Sequence, residues 1–496
     1  MQTTFYDYFF WLLTFIEFIY ILGMNKEKVS ILWFRQDLRL KDNPALNALA
    51  GSGHLLPIYI LDDENAGEFK MGGASRYWLH KSLDRLNASL DSKLNFYSGR
   101  AEDIIEQLIT NYDVQEIFWN RCYEPWRMKR DKKIKDLLKK NQIEAKSFKS
   151  DLLWEPWEVL KDDGAPYRVY SAYYKRLLKN TKLIRSPETK KIKSSLIKDK
   201  RSVGLDELKL FPDINWYTDM DKQWQPGEKG AHKNFKKFLD SGIKNYKEGR
   251  DFPKLESVSR LSPHLHFGEI SVAEIWHHIR NNYTDKNAGH FLKEIAWREF
   301  SYLLLYHFPQ LPKKNLQEKF DNFPWKSKNK KQFDAWKKGN TGYPIVDAGM
   351  RELWQTGYMH NRVRMIVGSF LVKNLLMHWR HGERWFWDCL LDADLANNSA
   401  SWQWVAGSGA DAAPYFRIFN PILQGERFDK DGDYVKKYCP ELKELPNKYI
   451  HKPFEAPMDV LLEADVKLGE NYPHPIVNLG ESRDAALDAY EEIKGK

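Results

Sequence analysis

The most informative stretch of the chain is LLDADLANNSASWQWVAGSGADAAPYFRIFNPILQ, from Leu390 to Gln424. It places the carboxylates of Asp392 and Asp394, two adjacent amides and two tryptophans next to a run of small residues between apolar segments. Buried polar groups are costly unless they are hydrogen-bonded, so a plain core helix would not carry this many. Trp402 and Trp404 are two residues apart, which on a helix turns about 200°, so one indole faces inward and the other outward. The stretch is therefore predicted to line a ligand site.

A second group of polar side chains lies upstream on a predicted helix, HFLKEIAWREFSYLLLYHFP. Glu294, Trp297 and Arg298 are spaced i, i+3 and i+4, which places them on one face. A carboxylate beside an indole on an apolar stripe is costly unless it serves a site or an ion pair. A simple surface pair between Glu294 and Arg298 is the alternative. Asn361 and Met365 repeat the i, i+4 spacing in a later helical segment.

The helical half of the chain opens with a short hydroxyl-containing run. Tyr246 and Arg250 precede VSRLS, Val258 to Ser262, and a helical pattern starts near Ser271. Small hydroxyl side chains and backbone N–H groups at such a turn are suited to a pyrophosphate. Taken alone, SRLS is more often a helix cap.

From Val29 the chain alternates strand-like and helical segments. SILWF, HLLPIYIL and QEIFWN are of strand type, whereas RYWLHKSLDRLNASL has helical spacing. Strands that alternate with helices predict a parallel, doubly wound sheet. Beyond Gly227 the pattern is almost wholly helical. The predicted fold class is α/β, with an N-terminal doubly wound parallel-sheet domain, a linker and a large all-α C-terminal domain.

The pattern weakens between about Asp151 and Gln225, and this segment is the predicted linker. Within it, the stretch from Lys175 to Arg201 holds eleven basic residues. A solvated connector is favoured over a DNA-binding arm, although such a run would raise encounter rates with DNA. The predicted division is an apolar extension over residues 1–23, a sheet domain over 27–150, the linker over 151–225 and a helical domain over 226–496.

Composition sets broad limits on function. The chain has 496 residues, 42% of them hydrophobic, with 19 Trp and 27 Phe, which indicates packed globular domains. Lys and Arg exceed Asp and Glu by 77 to 68, a net charge of +9, which suits a polyanionic partner. Many basic proteins nevertheless bind no nucleic acid. Cys122, Cys389 and Cys439 lack metal-ligand spacing and cannot all pair, so we expect a reduced, cytoplasmic setting and no metal site.

Several motifs together resemble one known family. DADLANN, WQW and GADAAPYFRIFNP resemble the flavin-binding core of the DNA photolyase and cryptochrome family. WFRQDLRLKDNPAL, Trp33 to Leu46, resembles the opening motif of that family's antenna domain. The resemblance covers about Ser30 to Lys496. It implies a light-dependent lyase that splits cyclobutane pyrimidine dimers by electron transfer from photoexcited, reduced FAD to a dimer flipped out of DNA.

The resemblance also implies roles for individual residues. Glu294, with its carboxyl protonated by desolvation, and Asn361 would hydrogen-bond the dimer, while Trp297 and Trp404 would stack on it or flank it. Val258 replaces the usual threonine of the flavin-phosphate run, which removes one expected hydroxyl contact. The implied catalytic residues are Glu294, Trp297, Asn361, Met365 and Trp404; the electron relay is Trp325, Trp379 and Trp402; the FAD contacts are Tyr246, Val258, Ser259, Arg260, Leu261, Ser262, Phe291, Arg298, Asp392, Ala393, Asp394 and Asn398; and the DNA contacts are Arg250, Glu294, Arg362 and Trp404.

Two alternatives remain within the family. A cryptochrome-type photoreceptor would signal rather than repair, and plant cryptochromes usually carry Asp, and insect ones Cys, where this chain has Asn398. No long signalling tail follows the helical domain, which also favours repair. A (6-4) photoproduct photolyase would need a histidine pair at the lesion. His360 precedes Asn361, but the rest of the implied pocket favours the cyclobutane dimer.

A second chromophore is expected in the antenna domain. Relatives hold a methenyltetrahydrofolate or a deazaflavin there, and NRCYEPWRMKRD, Asn120 to Asp131, lies where its contacts would be. This stretch departs from the Asn-Glu pair of well-known folate-binding relatives, so the chromophore stays open. UV-damaged DNA is the expected partner of a monomer with no obligate protein partner.

The extreme N-terminus contains FFWLLTFIEFIYILG, Phe9 to Gly23, which resembles a membrane segment. Glu17 interrupts it, no Lys or Arg precedes Lys26, and it is short for a span. Because Met24 opens text typical of the family's N-termini, a misassigned start is favoured over a membrane anchor.

Overall fold

The computed structural model describes residues 26–212 and 214–494. The extension predicted over residues 1–23 lies outside these ranges. Within them, no helix is both long and apolar enough to cross a membrane.

A parallel β-sheet occupies the first part of the described chain. Its strands run in the order β3-β2-β1-β4-β5, and the short β6 pairs with the start of β2. The order reverses direction between β1 and β4, and ligands of such sheets bind beyond the carboxyl ends of the strands at this switch point. The predicted doubly wound parallel sheet is confirmed. The strands are β1 Lys28–Phe34, β2 His54–Leu61, β3 Asn95–Ser98, β4 Asp113–Asn120, β5 Glu144–Phe148 and β6 Ser195–Leu196.

Both faces of the sheet are buried. Alternate residues of β1 point to opposite sides: Leu32 and Phe34 join one apolar cluster, and Ile31 and Trp33 join another. This double burial explains why β1 is an almost continuous apolar run. The covering helices are α1 Pro44–Leu49, α2 Asp63–Ala66, α3 Gly73–Ser89, α4 Ala101–Asn111 and α5 Pro125–Lys140.

The predicted linker is structured rather than a solvated connector. It contains helices α6 Tyr170–Lys179 and α7 Thr218–Gln223 as well as strand β6. The Ser195 N–H donates to the Gly53 carbonyl, and the Tyr97 hydroxyl donates to Asp199 at 2.7 Å. Strand pairing of this kind depends on contacts far apart in sequence, which composition does not reveal.

The remaining described chain is helical, as expected. Its α-helices surround two large apolar clusters, and a π-helix over Phe370–Asn374 directly follows α15. The helices are α8 Glu228–Asp240, α9 Tyr246–Gly249, α10 Ser262–His266, α11 Val272–Asn282, α12 Lys286–His307, α13 Lys330–Lys338, α14 Pro344–Thr356, α15 Asn361–Ser369, α16 Trp379–Cys389, α17 Leu395–Ala406, α18 Pro421–Phe428, α19 Asp433–Tyr438, α20 Met458–Glu463 and α21 Leu479–Lys494.

Polar contacts join the sheet region to the helical region. The buried Trp78 indole N–H donates to Glu269 at 2.8 Å. The Glu299 carboxylate of α12 accepts the N–H groups of Leu153, at 2.9 Å, and Trp154, at 3.2 Å. The two bonds to Glu299 anchor one side of α12, the helix that carries Glu294, against the segment that follows β5.

Candidate active site

An open cavity of about 360 Å³ lies between helices α12, α15, α16 and α17. Its walls combine polar groups with aromatic rings, which is typical of a ligand site. The structure brings together here the five side chains implied to surround the lesion, which are Glu294, Trp297, Asn361, Met365 and Trp404.

Two helices present the lesion-side residues because of where they begin. Helix α12 starts after Asp285, whose side chain accepts the N–H groups of the first turn. Helix α15 starts at Asn361, and the Nδ1 atom of His360 caps it by accepting the Arg362 N–H at 3.3 Å. The i, i+4 spacing then sets the Asn361 amide 4.0 Å from the sulfur of Met365.

Helix α17 delivers the two tryptophans of the WQW motif. Trp402 is 3% exposed and packs against Phe386, with ring centroids 5.0 Å apart, whereas Trp404 is only partly buried. This difference follows from the turn of about 200° between the two positions. Gly407, with φ of 83°, ends the helix in the left-handed region that glycine tolerates.

Asp392 and Arg364 form an ion pair in the cavity wall. Nη2 of Arg364 donates to Oδ2 of Asp392 at 2.9 Å, and the guanidinium also lies over the ring of Tyr358. Oδ1 of Asp392 is buried and has no hydrogen-bond partner within the described ranges. A buried acceptor that lacks a donor fits a ligand N–H, such as that of a flavin ring. Asp392 therefore suits the flavin role that the resemblance implies.

The implied phosphate-binding run lines a neighbouring cavity of about 420 Å³. Val258, Ser259 and Arg260 form part of its wall, together with Tyr358 and His360. Arg260 has φ of 51°, and its guanidinium stacks on Trp224. Since Arg364 of the first cavity contacts Tyr358 of the second, the two spaces are adjacent.

Several implied flavin contacts are packing residues in this structure and line neither cavity. Tyr246 and Phe291 pack edge to face, 5.4 Å apart, and Leu261 and Ala393 are buried. Ser262 is the exposed first residue of α10.

Asp394 and Arg298 also lie outside the cavity walls. Asp394 caps α17 by accepting the Asn397 N–H at 2.7 Å, and its other oxygen accepts the Tyr302 hydroxyl. Burial acts to raise the pKa of Asp394, but His266, Arg298 and Tyr302 outweigh it and lower the pKa to about 2. Arg298 donates to the carbonyl of Asp151, because one further residue rotates it about 100° away from Trp297. The surface pair between Glu294 and Arg298 does not form.

Glu294 pairs instead with Arg250, which donates to its carboxylate across the cavity wall. Arg362, beside Asn361, donates to Asp251 at 2.7 Å and covers the ring of Phe428. Each arginine implied to contact DNA is therefore held by a carboxylate. Binding of a polyanion would compete with these pairs.

Asn398 lies in the cavity wall beside a buried carboxyl group. Its amide donates to the backbone carbonyl of Glu383 at 3.1 Å, and the Ser399 hydroxyl lies 2.5 Å from the Glu383 side chain. Burial raises the pKa of Glu383 to about 7, although the hydrogen bond from Ser399 acts in the opposite direction. Asn398 is thus held by the backbone of Glu383, whose carboxyl group contacts the next residue, Ser399.

The three implied relay tryptophans share one apolar cluster: Trp402 and Trp379 are buried in it, and Trp325 packs against its outside. Trp402 lines the cavity, Trp379 is fully buried and Trp325 is partly exposed. The His378 ring lies between the rings of Trp325 and Trp379, at 5.2 and 5.4 Å. Gly382 packs on Trp402, since a Cβ there would come within 2.0 Å of the indole.

A third, smaller cavity lies at the carboxyl ends of β1 and β2. Trp126 and Arg127, from the predicted antenna stretch Asn120–Asp131, line it together with Trp33 and Arg35. The indole N–H of Trp33 and Nε of Arg35 are buried and have no partner in the described chain. The cavity measures about 30 Å³, the space of about one water molecule, and Arg35 and Arg130 cover the Trp33 ring, so it would have to open to admit a chromophore.

Sequence reasoning missed one residue of the cavity wall and two that lie behind it. Arg364 lines the cavity and follows Asn361 by one helical turn, a spacing that could have signalled it. Glu383, which bonds Asn398 through its backbone, gave no local signal. Tyr170 stacks on Trp297 from the segment predicted to be a linker. In the described chain, no group of three or more His, Cys, Asp or Glu side chains could hold a metal ion.

Comparison with known proteins identifies the family. A family model described as the FAD binding domain of DNA photolyase matches residues 291–492, and one described as DNA photolyase matches residues 30–192. The deoxyribodipyrimidine photo-lyase of Agrobacterium fabrum is 49% identical over 94% of this chain and 98% of its own length. The chain belongs to the DNA photolyase and cryptochrome family. Cryptochrome-1 of Arabidopsis thaliana is a more distant member, 36% identical over 95% of this chain and 72% of its own length.

Solved photolyases share the whole fold. A class III photolyase from Agrobacterium tumefaciens superposes with a TM-score of 0.89 at 48% identity, covering 95% of this chain and 98% of its own. An archaeal photolyase from Sulfolobus tokodaii, solved with two FAD molecules, has a TM-score of 0.79 at 32% identity, covering 94% and 100%. The photolyase fold predicted from sequence is confirmed, and its helical half is an FAD-binding domain.

Proposed function

We propose that this photolyase is a light-driven DNA repair lyase that splits cyclobutane pyrimidine dimers. The observation that carries the proposal is the convergence of Glu294, Trp297, Asn361, Met365 and Trp404 on one open cavity. The 49% identical relative is named a deoxyribodipyrimidine photo-lyase, and photo-lyases with this name recur among relatives at 34–36% identity.

The chemistry divides between the cofactor and the protein. Reduced FAD, when bound, supplies the photoexcited electron that splits the dimer. The unpaired Oδ1 of Asp392 would hold the cofactor, and Asn398 and Glu383 would set the hydrogen bonding beside it. The electrostatic task of the protein is to place donors where charge develops on the substrate, and the Asn361 amide can serve it.

Lesion selection would begin with base flipping. Extruding a nucleotide costs a few kcal/mol, and less at a damaged, poorly paired site. The cavity offers partly exposed indoles of Trp297 and Trp404 as stacking surfaces and Glu294 and Asn361 as hydrogen-bonding groups. Glu294 must share or release its contact with Arg250 to reach a base.

UV-damaged DNA would meet a basic rim. Lys247, Lys293 and Arg250 lie close enough to His290, one turn before Glu294, that their charges add to burial in lowering the pKa of this histidine. Lys247 and Lys293 are exposed. Basic groups around a flipped-out base can contact the flanking phosphates. A monomer in the cytoplasm remains our prediction for its state and location.

The antenna chromophore would bind beside Trp33 and Trp126, where the cavity wall must open to admit it. Trp126 and Arg127 line this cavity, so Trp126→Ala is expected to lose the second chromophore and keep FAD. Absorbance spectra of the purified variant, before and after chromophore extraction, test this. Loss of both chromophores would argue against separate sites.

Repair assays on defined lesions test the function. Purified protein with fully reduced FAD is illuminated with duplexes that carry one cyclobutane dimer or one (6-4) photoproduct, and restored bases are counted. We expect repair of the first lesion under blue light, none in the dark and none of the second. No histidine of the described chain lines the main cavity. His360 lines the adjacent cavity, and burial lowers the pKa of this histidine to about 3.

Failure to repair either lesion would contradict the proposal. Light-dependent flavin chemistry without repair would favour a cryptochrome-type photoreceptor. Repair of the (6-4) lesion would favour a (6-4) photoproduct photolyase.

A further inference from the structure

Tyr170 touches the lesion side of the cavity from outside it. The residue belongs to α6, which lies between the sheet region and the helical region. Its ring stacks on that of Trp297 with centroids 3.6 Å apart and planes 9° from parallel. Tyr170 itself is 8% exposed and lines none of the cavities described above.

The hydrogen bonds of Tyr170 reach two segments next to the cavity. The hydroxyl donates to the carbonyl of Lys293, at 2.7 Å, directly before Glu294. The backbone N–H donates to Oδ2 of Asp411, a residue of the opposite rim, at 3.0 Å. Tyr170 thus ties α12 to the loop after α17.

The stack with Tyr170 leaves one face of the Trp297 indole available for a ligand. Phe300 contacts the edge of Trp297, with planes 76° apart, while Tyr170 covers one face. An added base can stack only on the remaining face. A parallel aromatic pair also resists rotation of the indole, so that face is fixed before any ligand arrives.

We propose that Tyr170 is a positioning residue for damaged-DNA recognition: it holds Trp297 so that its free face receives the flipped-out pyrimidine dimer. The inference rests on the proposed function. A preorganised stacking surface reduces the ordering cost of binding, so the effect should appear in affinity for the lesion.

The test compares ring loss with hydroxyl loss. Tyr170→Leu removes the stack, and Tyr170→Phe keeps the ring while removing only the bond to Lys293. We expect Tyr170→Leu to weaken dark binding of a dimer-bearing duplex by roughly 10-fold, in line with the loss of an aromatic pair. The affinity of Tyr170→Phe for this duplex should stay within about twofold of the wild type, because the phenyl ring still stacks on Trp297.

A matched control and a double-mutant cycle isolate the mechanism. Tyr174 stacks on the outer side of Tyr170, 5.8 Å away, so Tyr174→Leu is expected to leave lesion affinity unchanged. In a Trp297→Leu background, Tyr170→Leu should cause no further loss, because its effect passes through the indole. Affinity for undamaged duplex, FAD content and photoreduction of bound flavin should not change.

Specific outcomes would overturn the inference. One such outcome is a Tyr170→Leu variant that binds the lesion as tightly as the wild type. Another is a Tyr170→Phe variant that binds it as weakly as Tyr170→Leu. A third is a double variant in which the affinity losses of Tyr170→Leu and Trp297→Leu add. If Tyr170→Leu does not fold, Tyr170→Met is measured instead under the same criteria. A wild type that neither prefers dimer-bearing duplex nor repairs it would instead refute the proposed function, so the two failures are distinguishable.

Discussion

Arg364 donates to Asp392 at 2.9 Å, and this pair leaves the second oxygen of the Asp392 carboxylate buried without a donor. Arg364 comes from α15 and Asp392 from the turn before α17, so the pair fixes two walls of the main cavity relative to each other. The unpaired oxygen is the feature that most directly fits a bound flavin.

Arg364→Ala is expected to lower both stability and FAD content. Removing one partner of a buried pair leaves an uncompensated charge, at a cost of about 3 kcal/mol. Denaturant unfolding and the flavin-to-protein absorbance ratio measure the two effects. Adding Asp392→Asn should restore much of the stability but not the FAD. If the single variant keeps wild-type stability and flavin, the pair has no such role.

Trp402→Phe is expected to block light-driven reduction of oxidised FAD. Trp402 is the one implied relay indole that lines the cavity, and Phe keeps the packing against Phe386 and Gly382. Repair by chemically reduced enzyme should remain nearly intact, because that reaction bypasses the relay. Transient absorption after a light pulse measures reduction. Trp385→Phe, at a half-buried indole outside the cavity, is the control. Unimpaired photoreduction in Trp402→Phe would contradict the relay.

Glu383 should make stability depend on pH. Burial raises its pKa from 4.5 to about 7, so between these values the folded state holds more protons than the unfolded one. Its stabilising contribution is therefore complete below about pH 4.5 and is lost as pH rises to about 7. Glu383→Gln stays neutral at every pH, so it should reduce the change in the free energy of unfolding over this pH range by on the order of 2 kcal/mol. Urea unfolding between pH 5 and 8 gives the comparison. Parallel curves for variant and wild type would exclude the effect.

Arg362→Ala is expected to weaken binding to dimer-bearing duplex and to lower its salt dependence. Each phosphate neutralised contributes roughly one unit to the slope of affinity against salt concentration. Asp251→Asn should raise affinity, because it frees Arg362 from its carboxylate partner. The triple change Lys190, Lys191, Lys193→Ala, at exposed positions near β6, should alter affinity little. Titrations of the duplex at several salt concentrations measure all three variants. If the triple lysine variant loses more affinity than Arg362→Ala, DNA binds at the segment predicted to be a linker.

Much of the fold is visible in local sequence. Apolar runs at periods of two and 3.6 residues predicted the strands, the helices and the division into a sheet half and a helical half, because these periods reflect which face of each element is buried. The motif residues of the cavity were also predictable, since helical spacing alone puts Asn361 beside Met365 and turns Trp402 inward and Trp404 outward.

Tertiary structure decided which polar groups meet. Local spacing allowed an ion pair between Glu294 and Arg298. In the folded chain, Glu294 pairs with Arg250 and Arg298 donates to the carbonyl of Asp151. The stack of Tyr170 on Trp297 joins residues that are 127 positions apart in the sequence. Strand β6 pairs with the sheet from a segment that the sequence predicted to be a linker. Such contacts form only when the chain closes long loops, and their partners are selected by shape and desolvation rather than by neighbouring residues.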